Sequence, residues 1–162
     1  MTDRAPAPGE ATTERVRGIF SNIADRYDAF NAMASLGIDR TWRKALVKAS
    51  ALTPESRVLD LAAGTGDVTL ALARQAAPAE VVATDITPEM LVIAERKAGE
   101  YAGPTRLTFR VADAQELPFD DESFDVVTVA FGVRNFPDRE RNFAEVMRVL
   151  KPGGRYVILE FS

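Results

Sequence analysis

Neither cysteine nor histidine occurs among the 162 residues. Their absence excludes disulfides, thiol nucleophiles, Ser-His-Asp triads and zinc sites of the usual ligand types. No apolar run approaches the roughly 20 residues that cross a bilayer. Residues 1–11, "MTDRAPAPGEA", lack the hydrophobic stretch of a signal peptide. The expectation is a cytoplasmic protein without a metal. Strong positive charge is also missing. A net charge of −4 argues against nucleic-acid binding, which needs a basic face. The charge is uneven: residues 1–50 hold eight Lys/Arg against six Asp/Glu, a net +2, and the remainder carries −6. That weak basic excess is too small to decide whether the N-terminal third meets an anionic membrane.

What is present is ordinary globular composition, 46% apolar and 27% charged, in a length that fits one domain. Residues 1–12 are Pro- and Ala-rich without periodicity and are expected to form a disordered tail. Residues 13–55 read as a helical cap. Val16, Ile19, Phe20, Ile23, Tyr27 and Phe30 form one apolar stripe, and a second helix runs from about Asp39 to Ala51 with Trp42, Leu46 and Val47. From 56 to 162 strand and helix alternate within the same domain. Strands are predicted at 57–61, 80–84, 106–111, 124–130 and 155–161, and helices at 67–76, 88–101 and 138–150. Thr87 and Asp138 stand where helix caps belong. Phe143, Val146, Met147 and Leu150 fall on one helical face, and "KPGG" is expected to stop that helix with its glycines. "LPFDDESFD" reads as a solvated loop with Leu117 and Phe119 turned inward, and no chemistry is assigned to it. Short alternating elements imply an α/β fold, a parallel sheet with helices on both faces.

The stretch "VLDLAAGTGDVT", Val58 to Thr69, is strand, glycine turn, helix. That architecture holds nucleotides, although a turn needed only for chain reversal would look similar. Two carboxylates, Asp60 and Asp67, flank Gly64-Thr65-Gly66. They would repel a pyrophosphate and suit a positively charged ligand, so S-adenosylmethionine is favoured over NAD. Asp85 ends the second strand, where an acid can accept from both ribose hydroxyls; it could equally serve as a helix cap. Asp113-Ala114 follows the third strand, and Asp113 could accept from an adenine amino group or be a solvated turn acid. These acids fall just beyond strand C-termini, the edge where open α/β sheets bind ligands.

Together "VLDLAAGTGD", the acid at 85, "DAQELPF" and "LKPGG" resemble class I S-adenosylmethionine-dependent methyltransferases. "YDAFNAMASLGIDRTW", "FGVRNFPD" and "RVLKPGGRYVILEFS" are narrower, and resemble the menaquinone/ubiquinone-biosynthesis C-methyltransferase family, the UbiE/COQ5 group, over residues 14–162. The resemblance implies a Rossmann-like sheet of five parallel strands in the order 3-2-1-4-5, with N-terminal helices. It also implies S-adenosylmethionine contacts at Thr65, Asp85, Asp113 and Ala114. Asp60, Gly64, Gly66 and Ile86 join that site by position. This chain departs from the family at Asp39, where a His is usual, at Phe30 in place of Met, and at Ala130 in place of Ser. Members usually continue past "LEFS" into a hairpin that completes a seven-stranded sheet. The expectation is a truncated chain whose edge, "YVILEF", pairs with a second copy.

The implied reaction moves a methyl group to a ring carbon of a polyprenyl quinol. A free phenol ionises near pH 10, so the site must stabilise a phenolate. Arg134 could stabilise the oxyanion, Asn135 could orient the ring oxygen, and Tyr27 could close over the site. A surface ion pair from Arg134 to Asp138 or Glu140, and core packing for Tyr27, are the plainer readings. The N-terminal stripe could receive the isoprenoid tail or pack on the sheet. Work at a membrane surface would follow from the tail. Two rivals remain: a methyltransferase for another small molecule, and a non-catalytic cofactor-binding module.

Overall fold

The computed structural model describes residues 38–160. Tyr27, Phe30 and the residue 13–30 stripe lie outside them. Element order is α1 (Ile38–Ser50), β1 (Arg57–Leu61), α2 (Asp67–Ala76), β2 (Glu80–Asp85), α3 (Pro88–Ala98), β3 (Arg106–Val111), β4 (Phe124–Ala130), a short 3-10 turn (Val133–Asn135), α4 (Arg139–Val149) and β5 (Leu150–Leu159). The five strands form one sheet in the order β3-β2-β1-β4-β5, and all four pairings are parallel. This is the expected order.

Central strands of such a sheet are covered on both faces, which is why β1, β2 and β4 read as apolar runs. Successive side chains point to opposite faces. Val58 accordingly joins one cluster with Leu46 and Val47 of α1, Leu72 of α2 and Val126. Leu59 and Leu61 join the other, with Val127, Val129, and Val146 and Val149 of α4. Leu117 is buried and Phe119 packs edge-on to Phe124 at 5.1 Å, as expected of the acidic loop.

Three local expectations are corrected. The glycines of "KPGG" do not stop α4. The helix runs directly into extended backbone at Leu150 (φ −74, ψ 135), and Gly153 (φ +79) lies inside β5. There β5 advances from Leu150 to Arg155 while β4 advances only from Phe124 to Val126, so Lys151–Gly154 bulge out. A side chain at Gly154 would meet the Leu150 Cδ2 and Lys151 O atoms at 2.9 Å. Secondly, Thr87 occupies its cap position without a side-chain cap bond, whereas Asp138 accepts from the Arg141 N–H at 2.9 Å as expected. Thirdly, the buried face of α4 is Asn142, Val146 and Val149. Met147 is 71% exposed and Phe143 43%.

Asn142 lies on that face because both ends of its amide find partners. Its Nδ2 donates to the Ala114 carbonyl at 2.8 Å, and its Oδ1 accepts from the Tyr156 hydroxyl at 3.0 Å. One side chain thereby joins α4, the loop after β3, and β5. Asn142→Ala would leave the Ala114 carbonyl and the half-buried Tyr156 hydroxyl unpaired and should lower the unfolding free energy by roughly 2 kcal/mol. Met147→Ala on the same helix should change it by no more than about 0.5 kcal/mol. Urea denaturation of the two variants measures both; equal effects would contradict this assignment of the helix face.

Candidate functional site at the C-terminal edge of the sheet

The register sets the site. Leu61 is level with Thr84 and Val129, Asp85 with Val111, and Ala130 with Leu159. The segments after β1, β2, β3 and β4 therefore all leave the sheet at one edge, where parallel sheets bind ligands.

The glycine loop bends through left-handed backbone at Ala62 (φ 50), Gly64 (φ 56) and Gly66 (φ 84). Gly66 is doubly constrained, because a Cβ there would stand 2.8 Å from the Ala94 Cβ of α3. At Gly64 a Cβ would meet nothing within 4 Å, so that face of the loop is open. Asp85 holds the loop to β2: its Oδ2 accepts from the Gly64 N–H and its Oδ1 from the Thr87 N–H, both at 2.8 Å. A carboxylate offers about four acceptor positions, so each oxygen can take a further donor. Burial pushes the Asp85 carboxyl up from its ordinary pKa, and hydrogen bonding from Thr87, Gly64 and Ile86 opposes the shift. Ile86 is half-buried between these anchors.

Asp60 does not face the open side of the loop. It is 1% exposed; its Oδ2 accepts from the Thr69 hydroxyl at 2.6 Å and its Oδ1 from the Thr128 hydroxyl at 2.8 Å. At that burial neither oxygen is open to a ligand, and Asp60 positions the loop from beneath. Burial pushes its pKa up to about 6; the threonine hydroxyls pull the other way and the nearby Asp85 adds to the rise. Asp67, the other flanking acid, is neutralised. Arg43 of α1 reaches it at 2.8 Å and Lys97 of α3 at 3.1 Å. Its charge cannot then carry the argument against a pyrophosphate, which falls to Asp85 and Asp60. Thr65 is buried and accepts from Lys97 Nζ at 3.1 Å.

Beyond β3, the Asp113 Oδ1 accepts from the Gln115 N–H at 2.8 Å and from its Nε2 at 3.1 Å. Gln115 Oε1 in turn accepts from the Asp138 N–H at 2.7 Å, and Ala114 is held through its carbonyl by Asn142. Asp113 is therefore braced within a hydrogen-bonded turn. Sequence reasoning missed Gln115 and Asn142, because a polar residue announces burial only once its partners are known.

Beyond β4, Arg134 and Asn135 lie in the 3-10 turn. Arg134 is ion-paired, though not to Asp138 or Glu140: Glu160 is the partner, 3.2 Å from its Nη1. The preceding Phe131 adopts φ +57, with its N–H bonded to the Leu159 carbonyl at 2.8 Å. Its ring centroid lies 5.9 Å from that of Trp42 in α1, and 5.9 Å from the Arg134 guanidinium carbon. Glu160, Phe131 and Trp42 were not singled out as site residues from the sequence. The positive φ of Phe131 has no sequence signal.

A parallel sheet in this order, with a glycine loop after β1 and an acid ending β2, is the Rossmann-like fold of the class I methyltransferases. A solved structure of that class, phosphoethanolamine N-methyltransferase 2 of Haemonchus contortus in complex with phosphomonomethylethanolamine and S-adenosylhomocysteine, matches with a TM-score of 0.67 at 28% identity, over 73% of this chain and 27% of that one. Within the class, the chain belongs to the ubiE/COQ5 methyltransferase family, whose model matches residues 9–162. It is 49% identical over 150 residues to the ubiquinone/menaquinone biosynthesis C-methyltransferase UbiE of Geobacter sp. (strain M21), covering 92% of this chain and 64% of that protein. The demethylmenaquinone methyltransferase of Thermus thermophilus is 50% identical over 143 residues, covering 88% of this chain and 64% of its own length. The chain thus spans less than two-thirds of the length of these curated relatives.

The Asp60 environment makes stability depend on pH. An acid whose folded-state pKa lies above its unfolded value stabilises most below the unfolded value, and loses that contribution as pH rises through about 6. Asp60→Asn abolishes the titration, and one threonine hydroxyl can rotate to accept from the new amide N–H while the other still donates to its oxygen. Between about pH 4 and pH 7 the variant should therefore gain on the parent by roughly 2 kcal/mol. Urea midpoints of both chains across that range test it; parallel curves would refute it.

Proposed function

We propose that this chain is the cofactor-binding portion of an S-adenosylmethionine-dependent C-methyltransferase acting on a polyprenyl quinol of menaquinone or ubiquinone biosynthesis. Family membership supports the reaction class. The observation that carries the cofactor assignment is Asp85: a carboxylate locked to the glycine loop, with acceptor capacity left on both oxygens. An anionic acceptor there fits ribose hydroxyls and a cationic sulfonium. Asp85 would take the ribose hydroxyls, while Gly64, Thr65, Gly66 and Ile86 shape the cradle. Asp113 and Ala114 would meet the adenine. Bound there, the cofactor supplies a methyl group activated by its positive sulfur.

The remaining work falls to the chain's own side chains. The acceptor ring carbon becomes nucleophilic once a neighbouring phenolic hydroxyl is deprotonated. Arg134, about half exposed beyond β4, would hold the phenolate oxygen, and Asn135 would orient the ring. Transfer of that methyl would form the new C–C bond at the expense of the C–S bond, with S-adenosylhomocysteine as the leaving group and the ring proton lost to solvent. In-line positioning is the main requirement. Tyr27 would close the site from the N-terminal segment. The isoprenoid tail would bring this work to a membrane surface; no helix among the described residues is long and apolar enough to cross a membrane.

Two variants separate the roles. Asp85→Ala should weaken S-adenosylmethionine binding by roughly ten- to a hundredfold in calorimetry, the usual loss for charge-assisted hydrogen bonds. Arg134→Ala should leave that affinity nearly unchanged and lower transfer of labelled methyl to a demethylated naphthoquinol on the order of a hundredfold. Unchanged binding by a folded Asp85→Ala chain would overturn the cofactor site. Binding by the parent without transfer to any quinol would overturn the reaction.

A further inference from the structure

Among the described residues, two buried side-chain hydroxyls lack a hydrogen-bond partner, those of Thr105 and Thr87. Thr105 precedes β3, at the edge of the sheet opposite the candidate site. Thr87 lies two residues after Asp85, at the start of α3, and is 0% exposed. Leaving a hydroxyl unpaired at that depth is destabilising, and native structures contain few such groups. A threonine before a helix ordinarily turns its oxygen to a backbone N–H of the first turn. Thr87 makes no such bond, and the Met90 N–H goes instead to the Thr87 carbonyl at 3.2 Å. The hydroxyl therefore does not serve the helix.

Its surroundings point to another use. The backbone N–H of the same residue already donates to Asp85 Oδ1 at 2.8 Å. Burial raises the Asp85 pKa, and the Thr87 hydroxyl is near enough to be one of the groups that oppose the rise. It does so without reaching hydrogen-bond geometry. A hydroxyl has one donor that swings about its C–O bond, and an ionised carboxylate only accepts. A bond between the two is charge-assisted. Ribose binding would strip water from Asp85, and a carboxylate that loses water needs further donors. We propose that Thr87 is a positioning residue for the cofactor acid: its hydroxyl closes onto Asp85 as the ribose binds and holds the carboxylate in place for the ribose hydroxyls. The assignment rests on the cofactor reading above and deepens it by naming the group that orients Asp85. Thr87 acts through that carboxylate and does not touch the cofactor. A donor kept unpaired until the ribose arrives adds its bond to the binding step, and it weakens the free chain in return.

Thr87→Val keeps the shape of the side chain and removes the hydroxyl. Binding of S-adenosylhomocysteine to the 162-residue chain is measured by calorimetry, and stability by urea denaturation. Two opposite changes are expected. Thr87→Val should bind about fivefold to tenfold more weakly, yet unfold at a higher urea concentration than the parent. Thr87→Ser, which keeps the hydroxyl, should bind within about twofold of the parent. In an Asp85→Ala chain the Thr87→Val change should weaken binding less than about twofold, because the group it acts through is gone. Parent affinity in Thr87→Val, no recovery in Thr87→Ser, or equal losses with and without Asp85 would overturn the positioning role. So would a fall in the urea midpoint of Thr87→Val, which would make the hydroxyl a structural bond. None of these touches the cofactor site as long as Asp85→Ala weakens binding. Failure of the parent to bind S-adenosylhomocysteine, or unchanged binding in Asp85→Ala, would overturn that site and the role of Thr87 with it.

Discussion

A carboxylate with almost no exposed surface has to be satisfied from within, and Asp60 is satisfied by two neutral hydroxyls, from Thr69 and Thr128. No cation shares the charge among these bonds, so desolvation dominates and raises the pKa of the acid to about 6. The geometric consequence is larger than the energetic one. Asp60 precedes the glycine loop and Thr69 follows it, so one hydrogen bond pins both ends of the loop. The bond to Thr128 fixes that assembly to β4, three residues before Phe131. Loop, first turn of α2 and the segment beyond β4 are thereby set in one frame, and Asp85 adds β2 through Gly64.

The N-terminal helix α1 is tied to this frame in two ways. Arg43 and Lys97 converge on Asp67 from α1 and α3, while Trp42 lies against Phe131. The Asp67 side chain is 46% exposed, so its pairs contribute little stability. Their value is orientation: they turn the face of α1 that carries Trp42 towards the edge where the strands end. They also cancel the acid closest to the start of α2. The negative character beneath the loop then comes from Asp85 and Asp60. Related sheets perform different chemistry, so what separates them has to lie in such attachments.

Much of this was legible because it rests on local chemistry. Strand residues 57–61, 106–111 and 124–130 and helix 67–76 follow from apolar runs bounded by turn residues, and the family resemblance supplied the strand order. Gly64, Gly66 and Asp85 were legible because turn geometry and strand ends have residue signatures. What failed did so for non-local reasons. "KPGG" carries a helix-stop signal, but pairing with β4 absorbed its glycines into a bulge. Met147 matched the apolar period of α4, yet Asn142 took the buried position because Ala114 and Tyr156 complete its hydrogen bonds.

The sequence by itself determined the α/β alternation, the single glycine loop, the acids at the end of β2 and beyond β3, and the exclusion of thiol and imidazole chemistry. Each of these follows from residue type and short-range spacing. Only the tertiary structure decided which acid faces outward. Asp60 and Asp67 look equivalent on either side of the loop, but one is buried on Thr69 and Thr128 and the other is neutralised by Arg43 and Lys97. It likewise decided that Arg134 pairs with Glu160 and that Trp42 meets Phe131. Those partners stand far apart along the chain, and nothing in local propensity encodes a contact that exists only when strands assemble side by side.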